Sequence, residues 1–271
     1  MKGKLPKQAA ALLSGKAKVT TYETTGGKTI SAFAAHNLAL IPGGTKPGST
    51  VHDNACGSGI VSRHILLQNA SPSDNDITIY ATDMDQTFLD KSENTNFSDG
   101  FFDYDMMNMA IIFMSSTGLD ATREMYRTLK PGGFAVVNCW KAITWLLPIV
   151  LVHKAFRGGG GGEAKAPPVS WTDGKQLKEV LMQAGFEEGK MRMESHEVRT
   201  VVEDGDELRA WAEKTWAYLG GVFGDWCDGD EEKWDEEVDM LAGLLKTQPG
   251  SKVEGGKVTM TASQWVAVAE K

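Results

Sequence analysis

The stretch Ser49-Thr50-Val51-His52-Asp53-Asn54-Ala55-Cys56-Gly57-Ser58-Gly59-Ile60 decides the fold. Its first half is β-prone and ends on an acid, so 51–55 reads as a strand. A short glycine-rich turn follows, and 60–67 reads as the helix after it. Chains take this form when a backbone loop closes around a ligand, because glycine reaches backbone conformations that side chains forbid.

The pattern recurs downstream. Residues 77–83, Ile-Thr-Ile-Tyr-Ala-Thr-Asp, predict a second strand that again ends on an acid. Residues 102–109 predict a third strand, and 119–129 carry helical periodicity. Lys130-Pro131-Gly132-Gly133 reads as a stop before a strand over 134–140, whose apolar run suits a sheet interior. Strand and helix in alternation imply parallel βαβ units and an α/β fold. Ligands bind beyond the carboxyl ends of such strands, where Asp53, Asp83 and Asn108 stand.

The flanks read differently. Residues 1–20 are rich in Lys and Ala and partly helical, and 29–40 predict a helix stopped by Pro42-Gly43-Gly44. Five consecutive glycines and two prolines make 157–168 a connector. Helices are expected over 177–186, 207–219 and 231–245, the last two starting at Asp-rich caps. Alternation over 191–202 and 257–269 predicts two strands closing the sheet edge as an antiparallel hairpin.

With 271 residues the chain can bury a sizeable core. Its 41% hydrophobic and 24% charged residues are those of a globular protein. A net charge of −8 argues against a nucleic-acid partner. Cys56, Cys139 and Cys227 are far apart and odd in number, which argues against a disulfide framework or a metal site. The run 142–152 contains Pro148 and is too short to span a bilayer, and no secretory signal is visible. A cytoplasmic protein without a membrane partner is expected. Its oligomeric state is not legible.

The turn's neighbours say what it closes around. A nicotinamide fingerprint would place a third glycine at position 62, where Ser62 stands. Asp53, just before the turn, suits a cationic ligand or a brace for the loop and would repel a pyrophosphate. The run Val51 through Gly59, with Leu129-Lys130-Pro131-Gly132-Gly133 before a strand, resembles the class I S-adenosylmethionine-dependent methyltransferases. The resemblance spans 22–140 and returns near the end. It is closest to the small-molecule branch similar to ubiquinone/menaquinone-biosynthesis enzymes, which includes many fungal natural-product enzymes.

The resemblance implies a Rossmann-like, mostly parallel, doubly wound sheet with an antiparallel C-terminal hairpin and a helical substrate cap. Within one domain, 1–44 would be an N-terminal helical lid, 45–140 the cofactor-binding core, and 141–271 the cap and last strands. It implies S-adenosylmethionine as cofactor. Asp53, Asn54, Ala55, Gly57 and Gly59 would surround its methionine and ribose. Asp83 would bind the ribose hydroxyls, Met84 would pack on adenine, and Asn108 and Met109 would line the methyl-donor side. Tyr22, Thr25 and Gly26 would close over the methionine end. Ala55 departs from the family's usual glycine. Only 19 positions separate Asp83 from Phe102, so the helix and edge strand that the family places there are expected to be missing.

The chemistry implied is methyl transfer by in-line displacement to a small molecule, with secondary metabolites among the acceptors of that branch. Alignment and exclusion of water carry that reaction, so no catalytic dyad is required. His153 is the candidate base, and Trp140, Trp145 and Trp216 are candidate substrate contacts, with core packing as the alternative. Three other readings stay open: a cofactor binder with little or no transfer, a non-methylating use of the pocket such as cyclisation, and a nicotinamide-dependent oxidoreductase, which Ser62 and Asp53 disfavour.

Overall fold

A computed structural model describes residues 4–69, 77–85, 96–157 and 169–271. The elements begin with helices α1 (Lys7–Leu12), α2 (Gly15–Tyr22) and α3 (Lys28–Ala39). A π-helical turn, Glu23–Gly27, joins α2 to α3. Strand β1 (Thr50–Asn54), helix α4 (Ile60–Gln68), and strands β2 (Thr78–Thr82) and β3 (Phe102–Asn108) follow. Next come α5 (Leu119–Thr128), β4 (Leu129–Ile143), α6 (Leu146–Arg157), α7 (Val169–Thr172) and α8 (Lys175–Ala184). The chain ends with β5 (Met191–Glu203), α9 (Asp206–Phe223), α10 (Asp230–Leu245), β6 (Lys252–Glu254) and β7 (Lys257–Glu270).

The seven-stranded sheet has the order β2-β1-β3-β4-β7-β5, with β6 paired to β7. β1 pairs in parallel with β2 and β3, and β3 with β4. β7 runs antiparallel to β4, since Gly132 N donates to Lys271 O at 3.0 Å and Thr144 N to Thr261 O at 3.1 Å. The expected doubly wound α/β sheet with antiparallel C-terminal strands is therefore present. β7 lies between β4 and β5, so β5 forms that edge. At the other edge, no strand lies beyond β2 among the described residues. The segment expected to lack an edge strand falls largely at 86–95, and the glycine-rich connector at 158–168. Both lie outside the described residues.

One local reading changes, and one segment left unassigned takes form. Lys130-Pro131-Gly132-Gly133 does not separate helix from strand but lies inside β4. The ladder passes from Phe102↔Leu129 to Tyr104↔Phe134, so four residues bulge against one, where proline and glycine fit. A Cβ on Gly133 would stand 2.9 Å from the backbone oxygen of Asp103. The apolar run before His153 forms α6, whose third residue is Pro148. Proline near a helix start removes no intrahelical bond, so it does not break α6.

The chain forms two compact units: Met1–Thr29, Ala142–Pro167 and Glu197–Ala262 in one, and Ile30–Lys141, Pro168–His196 and Ser263–Lys271 in the other. The second unit contains the glycine turn and most of α3. Its core joins Phe102, Met107, Leu129, Ala135 and Val137 of the sheet to Met125 of α5 and Leu177, Val180 and Leu181 of α8. The first unit is built on α1, α2, α6, α9 and α10. Leu208, Trp211, Ala212 and Trp216 of α9 are buried there, as are Trp234, Val238, Leu241 and Leu245 of α10. The caps of α9 and α10 are Gly205 and Gly229 rather than aspartates. The acids sit one position on, in the first turn, where they still face the positive helix end. Among the described residues no helix is long and apolar enough to cross a membrane.

Candidate ligand site at the strand ends

From β1 the chain passes through α4 to β2 on one side, then returns to β3 on the other side of β1. Helices leaving neighbouring strands in opposite directions open a crevice at their carboxyl ends. Asp53, Asn54, Asn108 and Met109 stand at those ends, and Asp83 follows β2.

Asp53 is buried and braces the loop. Its Oδ2 accepts the Ser62 amide at 3.0 Å and the Ser62 hydroxyl at 2.6 Å. Those donors lie in the first turn of α4, so the carboxylate supplies the cap that Gly59 cannot. Burial raises the Asp53 pKa to about 6, against the lowering effect of the Ser62 bonds.

Between these anchors the backbone is left-handed at Ala55 (φ 56°), Gly57 (52°) and Gly59 (72°). The tip of β2 holds the turn. Cys56 N donates to Thr82 O at 2.9 Å, and Gly57 N to Asp83 Oδ2 at 2.8 Å. The other oxygen of Asp83 accepts Asp85 N at 2.8 Å. Each carboxylate oxygen has two lone pairs, so Asp83 can brace the turn and still accept hydroxyls. A Cβ on Gly59 would meet nothing within 4 Å, so the turn faces open space there. The Ser58 hydroxyl is buried without a hydrogen-bond partner. The Cys56 thiol is pushed up to about 12 by burial, then by the charges of Asp53 and Asp83, so it is no thiolate nucleophile. Met84 is 93% exposed beside Asp83.

At the end of β3, Met109 is also left-handed, at φ 62°. Its amide donates to Asn138 Oδ1 at 2.8 Å. Asn138 Nδ2 donates to Asn108 Oδ1 at 2.9 Å and to Gln264 Oε1 at 2.5 Å. Gln264 Nε2 donates to Asn37 Oδ1 at 2.6 Å. This buried amide chain ties α3, β7 and β4 to the tip of β3. Asn108 and Met109 stand at the strand end where the sequence put them, and their tie to Asn37, Asn138 and Gln264 was not legible there. Sequence reasoning missed His52, Thr82 and Asp105, which join β1, β2 and β3 below the turn. For Asp105, Asn138 and Gln264 the available signal was a polar residue within an otherwise apolar strand.

The remaining candidates have these surroundings. Tyr22, Thr25 and Gly26 are helical, Tyr22 at the end of α2 and the other two in the π-helical turn. The Thr25 hydroxyl donates to Thr21 O at 2.9 Å, and the Tyr22 ring stands 5.6 Å from that of Tyr218. Trp140 is half-buried, edge-on to Phe33 at 5.8 Å. Trp145 and Trp216 occupy core positions of the helical unit, where they are 3% and 0% exposed. Trp216 donates its indole N–H to Glu237 Oε2 at 3.0 Å, and Trp145 meets Trp211 edge-on at 5.6 Å. His153 is likewise a packed residue rather than a poised base. Its Nε2–H donates to Gly220 O at 2.8 Å, its Nδ1 is buried without a partner, and burial lowers its pKa to about 4. Among the described residues no group of three or more His, Cys, Asp or Glu could hold a metal ion.

No family model matches the chain, and no curated protein matches it. Solved structures of similar layout include S-adenosylmethionine-dependent methyltransferases. A SAM-dependent methyltransferase from Archaeoglobus fulgidus is 12% identical, at TM-score 0.48, over 90% of this chain and 94% of its own. Phosphoethanolamine N-methyltransferase 2 from Haemonchus contortus, in complex with phosphomonomethylethanolamine and S-adenosylhomocysteine, is 12% identical at TM-score 0.48. That match covers 99% of this chain and 60% of the other. The [4+2]-cyclase SpnF is 16% identical at TM-score 0.41, over 89% of this chain and 80% of its own. Similarity of this degree says nothing of what this chain binds.

Proposed function

We propose that the chain is an S-adenosylmethionine-dependent methyltransferase acting on a small molecule. The observation that carries this reading is the left-handed turn at the β1/β3 crevice, tied by its Gly57 amide to the Asp83 carboxylate. The residues suit the group. Asp83 keeps lone pairs for ribose hydroxyls, the space outside Gly59 is open, and Asp53 next to the turn favours a cationic ligand over a pyrophosphate. Asn54, Ala55, Asn108 and Met109 complete the rim. Met84, exposed beside Asp83, would cover an adenine.

The bound cofactor supplies a methyl group already activated by the sulfonium charge. The chain's own residues bind, orient and keep water out, which can lower a barrier by about 7–11 kcal/mol. Trp140 is the proposed acceptor contact. His153 is set aside as a base, because its Nε2 is bonded and its Nδ1 is enclosed.

The test is thermal unfolding with S-adenosylmethionine, S-adenosylhomocysteine and NADH in parallel. A ligand at a hundredfold its Kd adds about 2.7 kcal/mol, at roughly 2–4 °C per kcal/mol for a chain of this size. A shift with the first two and none with NADH is the expected result, and Asp83→Ala should remove it. A shift with NADH alone overturns the reading, as does no shift with any of the three. If the two sulfur ligands bind, loss of label from methyl-labelled cofactor into an acceptor separates transfer from mere binding.

A further inference from the structure

We propose that Asp105, His52 and Thr82 form a positioning relay that sets the affinity of the glycine turn for the nucleoside of its ligand, an inference that rests on the cofactor reading above. His52 Nδ1 lies 3.0 Å from Asp105 Oδ2, and its Nε2 lies 2.9 Å from Thr82 Oγ1. With the carboxylate oxygen as acceptor, Nδ1 carries a hydrogen, and in the neutral imidazole Nε2 then accepts the Thr82 hydroxyl proton. The three side chains come from the middle of β3, the middle of β1 and the last residue of β2. The ring is fixed on its faces as well. It stacks on Phe102 at 4.7 Å with planes 9° apart and meets Phe97 edge-on at 5.4 Å.

This arrangement is costly for a sheet interior. His52 and Asp105 are 8% and 1% exposed, and Asp105 Oδ1 has no hydrogen-bond partner. Apolar side chains at both positions would pack these strands at least as well. The return lies at the far end of the relay. β2 is five residues long, mostly exposed, and has β1 as its only strand neighbour among the described residues. Its Tyr80 ring meets Phe97, Phe101 and Phe102 edge-on and anchors the middle of the strand. Among the described residues, the relay alone grips the last residue by its side chain. That residue's carbonyl receives Cys56 N, and the next residue's carboxylate receives Gly57 N. Fixing Thr82 therefore fixes two amides of the turn and the acid proposed for the ribose.

The experiment measures calorimetric affinity for S-adenosylhomocysteine and the melting temperature, on the wild type and four variants. Thr82→Val removes the hydroxyl at constant shape and should weaken binding about tenfold, the worth of one hydrogen bond. Thr82→Ser restores the donor and should bind like wild type. His52→Leu should lose about as much as Thr82→Val, and the double variant no more than either alone. A residue with a packing role only would lower the melting temperature and leave affinity unchanged. Wild-type affinity in Thr82→Val, or losses that add in the double variant, overturn the relay and leave the cofactor reading standing. Should His52→Leu fail to fold, the Val/Ser pair at Thr82 decides. A wild-type protein that binds no S-adenosylhomocysteine removes both proposals.

Discussion

Ala55 sits at φ 56°, where a Cβ crowds its own backbone. Ala55→Gly should therefore stabilise the protein by about 1 kcal/mol, read as a higher urea midpoint at unchanged slope. An unchanged or lower midpoint would mean that the glycine's extra unfolded-state freedom cancels the relief. Glu237 makes a second prediction. It is fully buried, its Oε2 accepts the Trp216 indole, and its Oε1 has no hydrogen-bond partner. Burial, then the charge of Asp230, raises its pKa from 4.5 to about 7. The folded state thus holds this proton more tightly than the unfolded chain. The stability so conferred is full below about pH 4.5 and is lost as pH rises through about 7. Glu237→Gln keeps an acceptor for Trp216 and removes the titration. Its unfolding free energy should depend less on pH than the wild type's across that window, and exceed it at pH 8. Identical pH slopes for the two proteins would sink this assignment.

At the scale of elements, α9 illustrates a conflict between propensity and packing. Alanine is favoured over glycine inside a helix by about 1 kcal/mol. Yet a Cβ on Gly221 would stand 2.6 Å from Trp226 Nε1, and one on Gly220 2.7 Å from the same ring. Gly221→Ala should therefore destabilise by about 1–3 kcal/mol, with a changed near-UV circular dichroism of the tryptophans. A more stable variant would show that Trp226 has room to move. The periodicity of Leu208, Trp211, Ala212 and of Trp234, Val238, Leu241 announced both long helices, because a buried stripe repeats every 3.6 residues. The start of α6 was hidden by Pro148, whose effect depends on where in the helix it falls. The bulge at Lys130–Gly133 was hidden because a proline and two glycines look alike in a loop and in a broken ladder.

At the scale of the sheet unit, residues distant in sequence meet in one buried amide chain. Asn37, Asn138 and Gln264 are 2%, 1% and 0% exposed. Gln264→Leu would leave Asn37 and Asn138 short of partners and should cost about 1–3 kcal/mol, measured by urea unfolding. Because Asn138 also holds the Met109 amide, the same variant should weaken S-adenosylhomocysteine binding. A stable Gln264→Leu protein with unchanged affinity would show that water replaces the amide.

The sequence by itself determined the α/β class, the parallel order of strand and helix, and the glycine turn with Asp53 and Asp83 at its flanks. These are local facts. Strand alternation, helix periodicity and left-handed glycines are set by residues within a few positions of one another. It also placed Asn108 and Met109 at a strand end. Only the tertiary structure decided the rest. That Asp53 caps α4 and Asp83 holds the Gly57 amide depends on which strands lie side by side. So do the His52–Asp105–Thr82 relay and the chain from Asn37 to Asn108, whose members stand up to 227 positions apart. Trp145, Trp216 and His153 read as site residues by type and became core by burial, since composition reports what a side chain can do and packing decides whether anything reaches it.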